Sequence, residues 1–271
     1  MNTVLLPSGS RPALALLALA LATAAVQPVV VQPVAGQRPV PSTGLEIMQE
    51  VDLRSRGWGD MEAELRMEIH DDGDLRLRVL DVKLLEAEDG DRTLLVLKEP
   101  RDLTGTAFLS IRRPGGDRAG WMSLPSQRRP RRIGDARGSD AFLGSHLTYA
   151  DLDPPSLDGY DFRVVSEEEI AGAAGVVVER TVAGRESGPR ELVWVDTRDF
   201  LVHRVEFYGA DGALDRSLVI DSYQTVAGFP RPARLEMRQA EGTGRTVLEW
   251  RDIQIDVGLS ERDFDPGRLG G

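Results

Sequence analysis

Residues 61–70 read MEAELRMEIH and alternate strictly. Met61, Ala63, Leu65, Met67 and Ile69 are apolar, while Glu62, Glu64, Arg66, Glu68 and His70 are polar or charged. A period of two with one apolar face predicts a half-buried antiparallel strand. Asp71-Asp72-Gly73-Asp74 then turns the chain, and Leu75, Leu77 and Val79 continue the alternation in a partner strand. Further strands are predicted near 92–98, 104–112, 161–169, 175–183, 190–196, 200–208, 214–225, 231–239 and 244–255. Turn signals such as Asp89-Gly90, Pro114-Gly115-Gly116, Asp211-Gly212 and Gly242-Thr243-Gly244 separate them. No strand–helix–strand alternation occurs, so the pattern predicts a mainly β protein: about a dozen strands in meander order, forming one antiparallel sheet that curls to protect its edges.

Two intervals depart from this rhythm. In GLEIMQEVDLRSR, residues 44–56, the period lengthens to 3.6, and Leu45, Met48, Val51 and Asp52 lie near one stripe. Ser42 or Thr43 can cap this segment, which predicts a helix ending before Gly57. Residues 138–158 show no alternation but carry Phe142, Leu143, Leu147, Tyr149 and Leu152. They predict a short helical lid over the mouth of the curved sheet.

The N-terminus adds a compartment. Arg11 is the only charged residue before Arg38, and residues 13–22 (ALALLALALA) are small or apolar, followed by Thr23-Ala24-Ala25. A basic residue, an apolar run of about ten and a small-residue end predict a signal peptide over 1–25. The run falls short of the about 20 residues that a spanning helix needs. Residues 26–41, rich in Pro and Val, read as a linker, and 42–271 as a single domain. The chain has no Cys, which excludes disulfides, thiolate metal sites and a lipid-anchoring Cys. A soluble periplasmic protein of a Gram-negative cell is expected.

Candidate chemistry is sparse. His70, His146 and His203 lack metal-ligand spacing, so no metal is expected. Asp71-Asp72-Gly73-Asp74 lacks the ligand spacing of a calcium loop. Ser145 beside His146 is not a nucleophile–base arrangement, and no Gly-x-Ser-x-Gly occurs. No cofactor and no catalytic residue is nominated, and an enzyme is not expected. The net charge of −11 argues against nucleic acid. Against that acidity, eight arginines and only Asp117 and Asp135 fall between Arg112 and Arg137, with Arg128, Arg129, Arg131 and Arg132 within five positions. Such a run predicts a docking face for an acidic partner or for anionic headgroups. Arginine stems covering apolar surface with their heads in water explain it equally well.

The central block also carries a resemblance. Gly105-Thr106-Ala107-Phe108-Leu109, Trp121, Leu124-Pro125, the arginines up to Ile133, then Phe142-Leu143-Gly144-Ser145 and Tyr149-Ala150-Asp151-Leu152 resemble the signature of the outer-membrane lipoprotein-sorting family, the LolA/LolB-like proteins. Ser123, Pro130, His146 and Ala150 depart from that pattern. The resemblance implies a strongly curved, incomplete antiparallel barrel with an N-terminal helix and a short helical lid. It implies binding or carriage of a lipid or lipoprotein acyl group in an apolar concavity, lined or covered by Trp121, Leu124, Phe142, Leu143, Leu147, Tyr149 and Leu152. Arg128, Arg129, Arg131 and Arg132 would then face a partner or headgroup, and Asp151 and Asp140 are the acids left to pair with them across the lid. A second expectation is a non-catalytic accessory subunit of an inner-membrane exporter, in peripheral contact with the membrane and carrying no cargo.

Overall fold

A computed structural model describes residues 41–115, 117–127, 129–133, 138–152, 157–185 and 187–269. The expected signal peptide and nearly all of the expected linker lie outside them, as does Arg128. Helix α1 (Gly44–Ser55) opens the domain. Thirteen strands follow: β1 (Asp60–Asp71), β2 (Asp74–Leu85), β3 (Asp91–Glu99), β4 (Ala107–Arg112), β5 (Arg118–Ser123), β6 (Arg131–Ile133), β7 (Tyr160–Ile170), β8 (Ala173–Val182), β9 (Arg190–Asp196), β10 (Val202–Tyr208), β11 (Leu214–Val226), β12 (Phe229–Gln239) and β13 (Arg245–Ile255). Eleven match the expected runs. β5 and β6 are additional to them, because RAGWMS and RRI carry neither a clean alternation nor β-branched enrichment.

All thirteen form one antiparallel sheet in the order β6-β5-β4-β3-β2-β1-β13-β12-β11-β10-β9-β8-β7. Meander order therefore holds only within two halves. The chain starts at the middle in β1, runs outward to the edge at β6, crosses to the far edge at β7 and returns until β13 pairs with β1. The crossing segment is the interval that lacks alternation. The sheet is an unclosed barrel. At one end its two edge regions meet, where the Gly115 N–H donates to the Asp158 carboxylate at 3.2 Å.

The alternation of β1 is realised residue by residue. Ala63, Leu65, Met67 and Ile69 are buried on the inner face. On the outer face, Glu62 pairs with Lys83 at 2.8 Å and Glu64 with Lys98 at 3.0 Å. Inward residues of the other strands follow from register: Leu248 stands opposite Met67, and Leu235 opposite Leu248.

Helix α1 begins with a reciprocal cap. The Thr43 hydroxyl accepts from the Glu46 N–H, and the Glu46 carboxylate accepts from the Thr43 N–H at 3.0 Å. Hydrogen bonds from the N–H groups of Ser42, first, and Thr43 hold the Glu46 carboxyl at about 2. Its buried face is Gly44, Ile47 and Met48 with Val51 half-buried, whereas Leu45 is 43% exposed. The expected stripe through Leu45 is thus rotated. Gly44 sets the rotation, because a Cβ there would lie 2.7 Å from the Arg163 backbone nitrogen of β7. The helix packs on Val176, Val178, Val193, Val195 and Phe200. At the opposite side of the molecule, 3₁₀ turns Glu261–Phe264 and Pro266–Arg268 bring Phe264 and Leu269 onto the outer face of β4, against Ala107 and Leu109.

Candidate functional site

The crossing segment plugs the concave face. It resolves as two 3₁₀ turns, Phe142–Gly144 and Tyr149–Leu152, joined by an antiparallel bridge between Ala141 and Thr148. Leu143 and Gly144 both turn left-handed, with φ of 49° and 72°, which explains a glycine at the third place of Phe-Leu-Gly-Ser. The Phe142 N–H donates to the Leu147 carbonyl at 2.7 Å, and the Ser145 hydroxyl accepts from the Leu147 N–H at 3.1 Å. This tight loop drives Phe142, Leu147 and Tyr149 into the main core, with Leu143 and Leu152 half-buried beside them. Phe142 and Tyr149 form an aromatic trio with Phe108, with centroids 5.2 to 6.0 Å apart.

Polar contacts tie the plug to distant strands. The Arg118 guanidinium donates to the Tyr149 carbonyl at 2.8 Å. The His146 N–H donates to the Thr246 hydroxyl at 3.1 Å, and its Nδ1 lies 2.9 Å from the same oxygen. Burial lowers the His146 pKa. Asp151 takes a bidentate contact from Arg216 of β11, at 2.5 and 3.1 Å, and accepts from both the N–H and the hydroxyl of Thr148. Asp151 therefore pairs with an arginine 65 residues away in sequence. Among the described residues, Arg118 brings the basic region into contact with the plug.

The other expected site residues separate. Trp121 pairs across from Leu109 and packs with it on the outer face, under the C-terminal turns. It stands on the opposite side of the sheet from the plug. Leu124, half-buried, sits in the turn after β5, where its carbonyl accepts from the Gln127 N–H. Arg129, Arg131 and Arg132 are exposed. In β6, Arg131 stands opposite Met122 and Arg132 opposite Trp121, so their side chains leave opposite faces of the sheet. A run contiguous in sequence is thus split between two surfaces.

Between the plug and α1 the concave face is only partly covered. Register places Val205 and Phe207 of β10, Leu218 and Ile220 of β11, and Leu235 of β12 on that face, and all five are half-buried. Fully buried residues flank them: Val178 and Val193 under α1, Met67 and Leu248 under the plug. One end of this apolar strip is ionic. Phe162, Arg180, Glu191, Phe207, Arg216 and Gln239 stand opposite one another in succession across β7 to β12. Arg180 donates to Glu191 at 2.7 Å, and the Arg216 guanidinium lies 4.1 Å over the Phe207 ring. Burial pushes the Glu191 carboxyl up, against the pull of Arg180. At the opposite end a cavity of about 650 Å³ opens between the end of α1 and the β11–β12 hairpin, lined by Leu53, Leu201, Tyr223, Phe229 and Pro230 among others. From Arg216 to Tyr223 the strip runs about 23 Å at roughly 3.3 Å per residue. One bilayer leaflet has an apolar depth of about 15 Å.

The sequence does not nominate this strip. The period-two spacing of Leu218 and Ile220 marks an inward face, but only α1 and the plug decide that this part of it stays uncovered. The Asp196–His203 pair, 2.9 Å apart, is structural, since the Asp196 carboxylate also accepts from the N–H groups of Asp199 and Leu201 and so closes that turn. Among the described residues no group of three or more His, Cys, Asp or Glu side chains is placed to hold a metal, and no helix is long and apolar enough to cross a membrane.

An unclosed antiparallel barrel whose concave side holds one helix and a crossing plug defines a class of fold, and solved structures share it. The chain is similar to a domain from Vibrio parahaemolyticus described as an outer-membrane lipoprotein-sorting protein, at 32% identity and TM-score 0.79, over 84% of this chain and 98% of that one. It is similar to a DUF1329 family protein from Desulfovibrio piger, at 25% identity and TM-score 0.76, over 83% and 97%. A LolA superfamily protein from Nitrosomonas europaea shares the fold, at 19% identity and TM-score 0.65, over 83% and 98%. A family model described as "Uncharacterized protein"-like matches residues 89–270. No curated protein matches the chain. This protein belongs to the outer-membrane lipoprotein-sorting protein family.

Proposed function

We propose that this protein is a periplasmic, non-catalytic carrier of a lipid or lipoprotein acyl group. Residues 1–25 serve as its signal peptide, and the domain beginning at 42 is the working part. The observation that carries the proposal is the half-buried strip of Val205, Phe207, Leu218, Ile220 and Leu235, left between α1 and the plug and continuous in register with the buried apolar residues Val178, Val193 and Leu248. Each buried methylene of an acyl chain contributes about 0.8 kcal/mol, so a strip of this length holds a chain without covalent chemistry. Membership in a lipoprotein-sorting family supports the same ligand class. Exposed Arg129, Arg131 and Arg132, for which the described residues provide no ion-pair partner, are the proposed contact with a partner or anionic headgroups.

Native mass spectrometry of the protein released gently from its own periplasm tests this reading. A bound mass lost on delipidation, together with uptake of a fluorescent fatty acid by the stripped protein, is the expected result. A clean apo mass with no uptake rejects it. That outcome favours the second reading, an accessory subunit of an exporter, which draws support from the plug filling part of the concavity with its own Phe142, Leu147 and Tyr149.

A further inference from the structure

We infer that the cargo is an amphiphile with an anionic head, and that Arg216 binds the head by exchanging it for the plug's own Asp151. The inference rests on the carrier reading and adds a head-group class and a coupling between loading and plug release.

The strip is asymmetric along its length. One middle row is apolar: Val164, Val178, Val193, Val205, Leu218 and Met237 stand opposite one another in succession. One row further, the same strands carry Arg180, Glu191 and Arg216, so a chain lying along the strip has its terminus at a cluster of fixed charges. The two cations are not equivalent. The partner of Arg180 is Glu191 on the neighbouring strand, so that pair belongs wholly to the sheet. Arg216 takes its bidentate partner from the plug, with side-chain exposures of 16% for Arg216 and 13% for Asp151. Asp215 approaches only its Nε, at 3.6 Å, and is 70% exposed.

Lifting the plug takes the carboxylate from Arg216, and a ligand that then covers the site buries the guanidinium again, which is unfavourable unless the ligand brings an anion to the place Asp151 held. A carboxylate or phosphate offers two oxygens that can accept from both terminal nitrogens at once. An acyl chain bearing such a head puts its tail on Val205, Leu218, Ile220 and Leu235 and its head where Asp151 was. A neutral amphiphile of the same length fills the strip but leaves Arg216 unpaired. Loading and plug release are then one exchange reaction, selective for charge at the head.

The test compares cis-parinaric acid with its uncharged methyl ester on the delipidated full chain, read by fluorescence, with hydrogen–deuterium exchange of residues 142–152 in parallel. The acid is expected to bind about ten-fold tighter or better than the ester, the scale of a charged hydrogen bond, and to speed exchange in the plug. Arg216→Gln is expected to abolish the preference while keeping ester binding. Asp151→Asn, which removes the competing carboxylate and leaves Arg216 in place, is expected to tighten the acid several-fold and the ester little. Inorganic phosphate alone is expected to leave plug exchange unchanged; opening by phosphate without a tail overturns the requirement for an amphiphile. Equal binding of acid and ester by the unmodified protein, or a preference that survives in Arg216→Gln, overturns the head-group assignment and leaves the carrier reading standing. Binding of neither probe removes both. Should Arg216→Gln not fold, Asp151→Asn decides: no gain for the acid over the ester sinks the exchange.

Discussion

The two halves of the sheet are covered differently. Strands β1 to β4 are sealed on the inner face by Phe142, Leu147 and Tyr149 of the plug, and β4 is covered on its outer face as well by Phe264 and Leu269 of the C-terminal turns. Strands β8 and β9 are sealed inside by α1, but β10 to β12 are covered inside only in part. On the outer face of that half stand ion pairs such as Arg163–Glu179 and Arg238–Glu236. The same strand chemistry thus yields a rigid core in one half and available apolar surface in the other. What differs is the coverage each half receives from segments that are not strands. Surface left uncovered at the centre of a concave face costs stability, and a binding site is a physical reason to keep it.

Substitutions can break that contrast, and the largest effect belongs to the sealed half. Phe142→Ala removes a buried ring from the aromatic trio and is expected to cost about 3–5 kcal/mol in urea unfolding. Leu218→Ala, on the half-buried strip, is expected to cost about 1–2 kcal/mol while lowering acyl uptake. Equal costs at the two sites would mean that the strip is ordinary core. Next, Thr43→Ala breaks the cap of the helix that bounds the strip and is expected to cost about 1 kcal/mol. Its partner Glu46, held at about 2 against an ordinary 4.5, contributes stability present above 4.5 and lost as pH falls toward 2. Glu46→Gln should flatten that acid limb.

A smaller effect sits in the plug itself. Burial lowers the His146 pKa below its ordinary 6.5, so the unfolded chain binds more protons there and stability rises with pH through this window. Stability is therefore expected to fall as pH drops below about 6.5, with the slope reduced in His146→Gln. Unfolding measured from pH 7.5 to 5.5 in both proteins checks the sign. The smallest effect on stability is expected from Arg131→Glu with Arg132→Glu, within about 0.5 kcal/mol, while sedimentation with anionic vesicles falls. Loss of folding in that double variant would mean that edge strand β6 holds the sheet rather than meets a surface.

Some of this is readable along the chain. Alternation in MEAELRMEIH and its successors places eleven strands, because a strand with one face buried must repeat every two residues. Ser42 and Thr43 mark the start of α1, with the structure choosing Thr43, and Phe-Leu-Gly-Ser with Tyr-Ala-Asp-Leu points to the family and the plug. Helix orientation is not readable: Leu45 and Ile47 are both apolar, and only the close approach of Gly44 to β7 chooses between them. Nor is the side of Trp121, since the weak pattern of β5 leaves its alternation phase undefined until Leu109 pairs with it.

The division has one physical cause. Local sequence determined what depends on neighbours within a few residues: period, turns, caps, and the compactness of the loop around Phe142. It determined as well that an acidic, cysteine-free chain would build a β protein around one apolar face. Only the tertiary structure decided which apolar surface stays open and which charges meet. Both depend on where the crossing segment lands, and that brings Asp151 to Arg216 across 65 residues of chain. The arginine cluster that stands out in the sequence is divided between two faces by the pleat of β6, whereas an arginine unremarkable in the sequence, Arg216, holds the plug.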